Sequence, residues 1–199
     1  NEVITSNNVG KVSNRGPRMG VAYTVGTLNE FAIRPESQGG LEISPIVSNL
    51  GYQFEGQYVG TENFSALFEG VINFTGLEQG MFLPSLTVLH GLRDNKTGIE
   101  FAFGPTFGVT TIAKGYYDDG IWKLENEWTD LDNPNPNRIY ERMDSRGNVV
   151  LNAGFLFGAG FSLKSGDLNI PVNVFTVMQK KSFRAGISFG FNAKGNSNK

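Results

Sequence analysis

The residues that could do chemistry are few. His90 is the one histidine, so a Ser–His–carboxylate site would have to use it. It falls near a tight turn, away from the long connections where a catalytic group would meet substrate, and it reads as a structural or interfacial histidine. Glu55, Glu69, Glu100, Lys164 and Arg184 share a different character. Each stands among small residues inside an alternating stretch, which suits a buried network of matched charges better than a reaction centre. Asp130 and Asp132, in the run Asp130-Leu131-Asp132-Asn133-Pro134-Asn135-Pro136-Asn137, offer the oxygen ligands that Ca²⁺ takes. Pro134 occupies a ligand slot of the EF-hand frame, however, and the central glycine is missing, so a turn-rich acidic loop is the plainer reading. Trp122 and Trp128 lie in that same acidic segment. Self-packing is the default for such a pair, and a partner-binding loop is the functional alternative. No cofactor is expected, and with no cysteine in the chain there is neither a disulfide nor a thiolate metal site.

The elements that must position these residues are strands. Period-2 alternation recurs along the chain and helical patterns are scarce. It predicts eight strands, over 18–26, 46–59, 64–75, 81–92, 98–114, 149–164, 168–177 and 183–191. Gly60-Thr61-Glu62-Asn63, Asp94-Asn95-Lys96-Thr97 and Ser165-Gly166-Asp167 have tight-turn chemistry and collect at one end. The long segments 27–45 and 115–148 fall at the other, with two short links near 76–80 and 179–181. An up-and-down antiparallel order follows. Residues 1–17 read as a flexible N-terminal segment, 18–192 as the barrel and 193–199 as a C-terminal tail.

Side-chain size orients the wall. One face carries rows such as Phe101, Phe103, Phe107 and Phe155, Phe157, Phe161; the other is Gly, Ala, Ser, Thr and Asn with Glu55, Glu69, Glu100 and Arg184. An eight-stranded barrel has an interior just wide enough for side chains to fill. Rows of phenyl rings would overfill it, whereas the small face fits. A basic residue pointed at lipid costs roughly 2–4 kcal/mol near the midplane, but inside it can be paired. The sequence therefore predicts an all-β, eight-stranded transmembrane barrel with the aromatics facing lipid. Tyr23, Tyr52, Tyr58, Phe64, Phe183 and Phe191 would supply interfacial girdles. Inside, Glu55, Glu69 and Glu100 are expected to pair with Arg184, joined by Lys164. Only 18% of residues are charged and the formal net charge is −2, which lacks the basic face that nucleic acid needs. No run of about 18 apolar residues provides a spanning helix. The N-terminus shows no basic-then-apolar signal, so an exported chain is expected to be in its mature form.

Two stretches carry a likeness. The closing hairpin, Gly166-Asp167-Leu168-Asn169-Ile170-Pro171-Val172-Asn173-Val174 and Phe183-Arg184-Ala185-Gly186-Ile187-Ser188-Phe189-Gly190-Phe191, resembles the last hairpin of small bacterial outer-membrane β-barrels of the Bacteroidota type, OmpA/OmpX-like in strand number. Gly76-Leu77-Glu78-Gln79-Gly80 followed by Leu83-Pro84-Ser85 is similar to the same group. The resemblance implies that the termini and short turns face the periplasm and the long loops face outward. Such barrels commonly end on an aromatic, whereas here eight residues follow Phe191.

The functional expectation is a non-enzymatic structural or accessory subunit of an outer-membrane protein complex. It would have a filled polar lumen, with the bilayer and partner outer-membrane proteins as its contacts. The alternatives are a small-solute channel, a lipid-modifying barrel enzyme, and a soluble barrel for an apolar ligand.

Overall fold

The computed structural model describes residues 14–130, 133–165 and 168–193, without the side chains of Lys164, Ser165 and Ala193. The strands are β1 Gly16–Gly26, β2 Ile46–Gly60, β3 Phe64–Thr75, β4 Leu83–Asp94, β5 Ile99–Asp118, β6 Ile121–Leu124, β7 Tyr140–Met143, β8 Asn148–Ser165, β9 Leu168–Gln179, β10 Ser182–Gly190 and β11 Asn192–Ala193. Every pairing is antiparallel. β1, β2, β3, β4, β5, β8, β9 and β10 pair in that order, and β10 pairs back onto β1 through Arg18↔Gly190 to Gly26↔Ser182. The result is a closed eight-stranded antiparallel barrel. Closure removes the sheet edges, so every barrel strand has a ladder on both sides.

The eight expected strands are the eight of the barrel. Their ends shift by a few residues, most at β5, which continues to Asp118 beyond the expected end at 114. The acidic segment expected as one irregular loop carries β6 and β7, both paired to the far end of β5. The segment 27–45 carries the short helix α1, Thr27–Ile33. The N-terminal boundary moves as well: β1 begins at Gly16, and Asn14 is only 1% exposed. Residues 1–13, 166–167 and 194–199, which include part of the third expected turn and most of the tail, lie outside the described residues.

The two faces divide as side-chain size requires. Along β1, Arg18, Gly20, Ala22 and Thr24 turn inward while Met19, Val21, Tyr23 and Val25 are exposed. Phe54, Phe68, Phe101, Phe103, Phe157 and Phe161 are all exposed, Phe101 by 59%. Many of these rings meet one another across the outer wall, as Phe103 does Phe155 at 6.4 Å and Phe155 does Phe157 at 5.0 Å. The tyrosines and phenylalanines expected as girdles are likewise exposed on this surface. Small inward residues let neighbouring strands approach closely. A Cβ on Gly104 would overlap the Val88 carbonyl oxygen of β4. No helix among the described residues is long and apolar enough to cross a membrane.

Candidate functional site

The short-turn end of the lumen is closed by an ionic cluster. β2 and β3 place Glu55 directly opposite Glu69, a like-charge cross-strand pair that is unfavourable by itself. The β4–β5 hairpin places Arg93 opposite Glu100. Arg93 joins the two sides. Its Nη2 lies 2.5 Å from Glu55 Oε2 and 2.5 Å from Glu100 Oε2, and its Nε donates to Glu100 at 2.7 Å. Arg93 and Glu69 are each 2% exposed and Glu100 is 5% exposed. Gln53 donates to Glu69 Oε2 at 2.8 Å, and Asn14 ties its backbone N–H to Glu55 and its side chain to Glu100, Ser162 and Asn169. Arg18 is buried beside the carboxylates, with Nε and Nη1 unbonded. Charges taken out of water cost several kcal/mol each unless matched, and three carboxylates here face two guanidinium groups.

Carboxylate oxygens of Glu55, Glu69 and Glu100 fall within 4.8 Å of one another, close enough for a metal ion. The Arg93 guanidinium holds the position between Glu55 and Glu100 that a cation would take, so the cluster is chemically an internal salt bridge.

Above the cluster the lumen opens into a cavity of about 490 Å³. Arg18, Glu69 and Glu100 contribute to its floor, and Val71, Leu89, Leu156, Phe175 and Val177 to its wall. Leu28 and Phe31 of α1, with Leu41, contribute to its roof. The filled polar lumen expected from sequence is therefore corrected: a cavity remains above the ionic cluster, lined in part by large inward apolar residues.

The long segments meet at the other end around Asp144, which is fully buried. Its Oδ1 accepts from the backbone N–H and Nε of Arg146, at 3.1 and 2.9 Å. Its Oδ2 accepts from Arg146 Nη2 at 2.9 Å and from Trp122 Nε1 at 3.0 Å. Arg142 stacks on Trp122 at 4.1 Å and donates to the Gln38 carbonyl at 2.7 Å. Arg34 donates to the Met143 carbonyl at 2.8 Å, and Ser145 N–H donates to the Gly39 carbonyl at 2.9 Å. Gly39 has φ +76° and lies against the Asp144 carboxylate, leaving no room for a Cβ. Burial opposes ionisation of Asp144, but hydrogen bonds from the Arg146 side chain and backbone outweigh it and hold the carboxyl below its ordinary range.

The residues singled out by sequence separate accordingly. Glu55, Glu69 and Glu100 come together. Arg184 does not join them and makes no ion pair among the described residues; Arg93 takes the expected place. The alternation rule gives a residue's face but not its height. Arg184 pairs with Thr24 near the loop end, whereas Arg18 pairs with Gly190 near the short turns. Arg93 follows directly on the expected strand 81–92, which marks it as a candidate, but the turn as read at 94–97 would set it opposite residue 98; the observed β4–β5 ladder sets it opposite Glu100. Lys164 pairs with Asn169 through its backbone, and its side chain lies outside the described part. Trp122 packs on Tyr117 and Arg142, and Trp128 meets Tyr116 at 6.0 Å while donating to the Asn133 carbonyl at 3.0 Å. Asp130 accepts from Asn133 at 3.2 and 3.0 Å, a local turn contact, and Asp132 lies outside the described residues. His90 is exposed on the outer wall among Tyr58, Phe68 and Phe103.

The class this defines is a closed eight-stranded antiparallel barrel with an apolar exterior and an ionic lumen. A solved structure of Ail, the attachment invasion locus protein of Yersinia pestis, in complex with the heparin analogue sucrose octasulfate, is similar with a TM-score of 0.43 and 9% identity, over 90% of this chain and 96% of that one. No protein-family model and no curated protein matches the chain.

Proposed function

We propose that the chain spans a bacterial outer membrane as a non-conducting barrel and serves as a non-enzymatic structural or accessory subunit of an outer-membrane complex. The observation that carries this reading is the inversion of the two faces: phenyl rows on the exterior and Glu55, Glu69, Glu100 and Arg93 buried inside. In water such an exterior would be an aggregation surface, whereas in lipid it is the favourable one. Only helices and closed barrels satisfy every backbone group in hydrocarbon. Two features support a non-conducting role. The salt-bridge cluster occupies the lumen at the short turns, and the long segments are tied together around Asp144 at the other end. The cap also offers a stiff surface to a partner, since both long segments are tied into one unit.

Two measurements test the proposal. Planar bilayers containing the protein should show no single-channel current; steady channels would replace the reading with a small-solute channel. Purification in mild detergent should give stoichiometric co-elution of another outer-membrane protein, and a chain that elutes alone would remove the subunit role.

A further inference from the structure

The ionic cluster leaves Arg184 unexplained. It projects from β10 into the lumen cavity, its Nε is buried without a hydrogen-bond partner, and no carboxylate among the described residues makes an ion pair with it. Its neighbours across the ladder are Thr24 on β1 and Val177 on β9, neither of which is charged. Arg184 is half-buried, and its buried Nε lacks an acceptor, so the guanidinium presents an unpaired charge to the lumen that favours an anion. The cavity beside it has the volume of a small-molecule site. Its lining includes Val71, Leu89, Leu156, Phe175 and Val177, with Phe31 and Leu28 above. From the level of Arg184 to that of Arg18 is six residues along β1. At about 3.3 Å per residue and a strand tilt of roughly 40°, this is about 15 Å along the barrel axis.

From this geometry we infer that the lumen binds one amphipathic carboxylate, a medium-length fatty acid, with its head on Arg184 and its chain along the apolar part of a wall that also carries Thr87, Thr106 and Asn173. The planar fork of a guanidinium matches the two oxygens of a carboxylate. The inner faces of Leu89, Leu156 and Phe175 give the chain contacts that a hydrated small anion would not use. The site is closed below by the salt-bridge cluster, so the ligand is held and does not pass through. This inference needs only the closed barrel and is independent of the accessory role.

The test uses the whole chain in lipid nanodiscs and a dodecanoic acid carrying a diazirine near its terminal methyl. After photolysis, peptide mass spectrometry should find saturable labelling on the peptides bearing Leu89, Leu156 or Phe175. Unlabelled dodecanoate should displace it and dodecanol should not. Arg184→Gln should lower the saturable labelling at least tenfold, while labelling of the peptide bearing the outward-facing Phe101 and Phe103 stays unchanged as an internal control. Labelling confined to the outer residues, equal labelling in the variant, or equal displacement by dodecanol would each overturn the inference. If Arg184→Gln does not fold, as judged by heat-modifiable gel mobility, Leu156→Trp narrows the cavity while keeping the guanidinium. Its saturable labelling should disappear, and persistence would also overturn the inference.

Discussion

Asp144→Asn removes one charge from the centre of the cap and leaves the outline of the side chain intact. The carboxylate accepts two hydrogen bonds from the Arg146 guanidinium, one from the Arg146 backbone, one from Trp122 and a longer one from Arg142 at 3.5 Å. An asparagine there retains one acceptor oxygen and turns an NH₂ group toward donors. Hydrogen bonds to charged groups contribute about 1.5–3 kcal/mol each, but bonds within one network do not add. The Arg146 side chain is 34% exposed, so solvent screens part of its contribution. Taken together, the cap should open more easily by about 2–3 kcal/mol, a roughly 30- to 150-fold loss of protection. Amide hydrogen exchange in micelles reads this at Ser145, whose N–H donates to the Gly39 carbonyl. Exchange in the barrel strands should not change except at the far end of β5, residues 111–118, whose partners are β6, β7 and Asp144 itself; the other ladders do not involve the cap. A loss of protection smaller than threefold at Ser145 would refute the assignment of Asp144 as the tie between the long segments. The same group sets a pH dependence. Its folded carboxyl titrates below the ordinary value of about 4, so its contribution is complete above that pH and disappears as pH falls through the lower folded value. The wild-type cap should therefore loosen below about pH 4, whereas that of the Asn variant should show no such step.

Three further outcomes follow from the barrel. Arg93→Met strands Glu55 and Glu100 without their counter-charge and should cost about 3–5 kcal/mol, measured as a lower urea midpoint for unfolding from lipid vesicles. Phe157→Arg should cost roughly 2–4 kcal/mol in a bilayer if the residue lies near the midplane; a neutral effect in the same assay would argue that this wall does not face lipid. Gly104→Ala forces a methyl onto the Val88 carbonyl between β4 and β5 and should cost about 1–3 kcal/mol, with local loss of exchange protection along that seam only.

Sequence alone was enough for the wall of this protein. Side-chain periodicity of two, the clustering of tight turns at one end, and the size difference between Phe rows and Gly rows fix eight strands, their order and which face turns outward. Those are local properties of a strand, because successive side chains must point to opposite faces. Sequence also brought Glu55, Glu69 and Glu100 to the same surface. It did not decide their partner, because a residue's height in the lumen depends on the register of all eight ladders and on how the barrel closes. That closure sets Arg93 among the carboxylates and leaves Arg184 near the roof. Asp144 was one acid among many in a polar segment until β7 and the 27–45 segment met around it. Likewise, the cavity lining gathers Leu89, Leu156 and Phe175, which lie far apart in the chain and which no single strand pattern brings together.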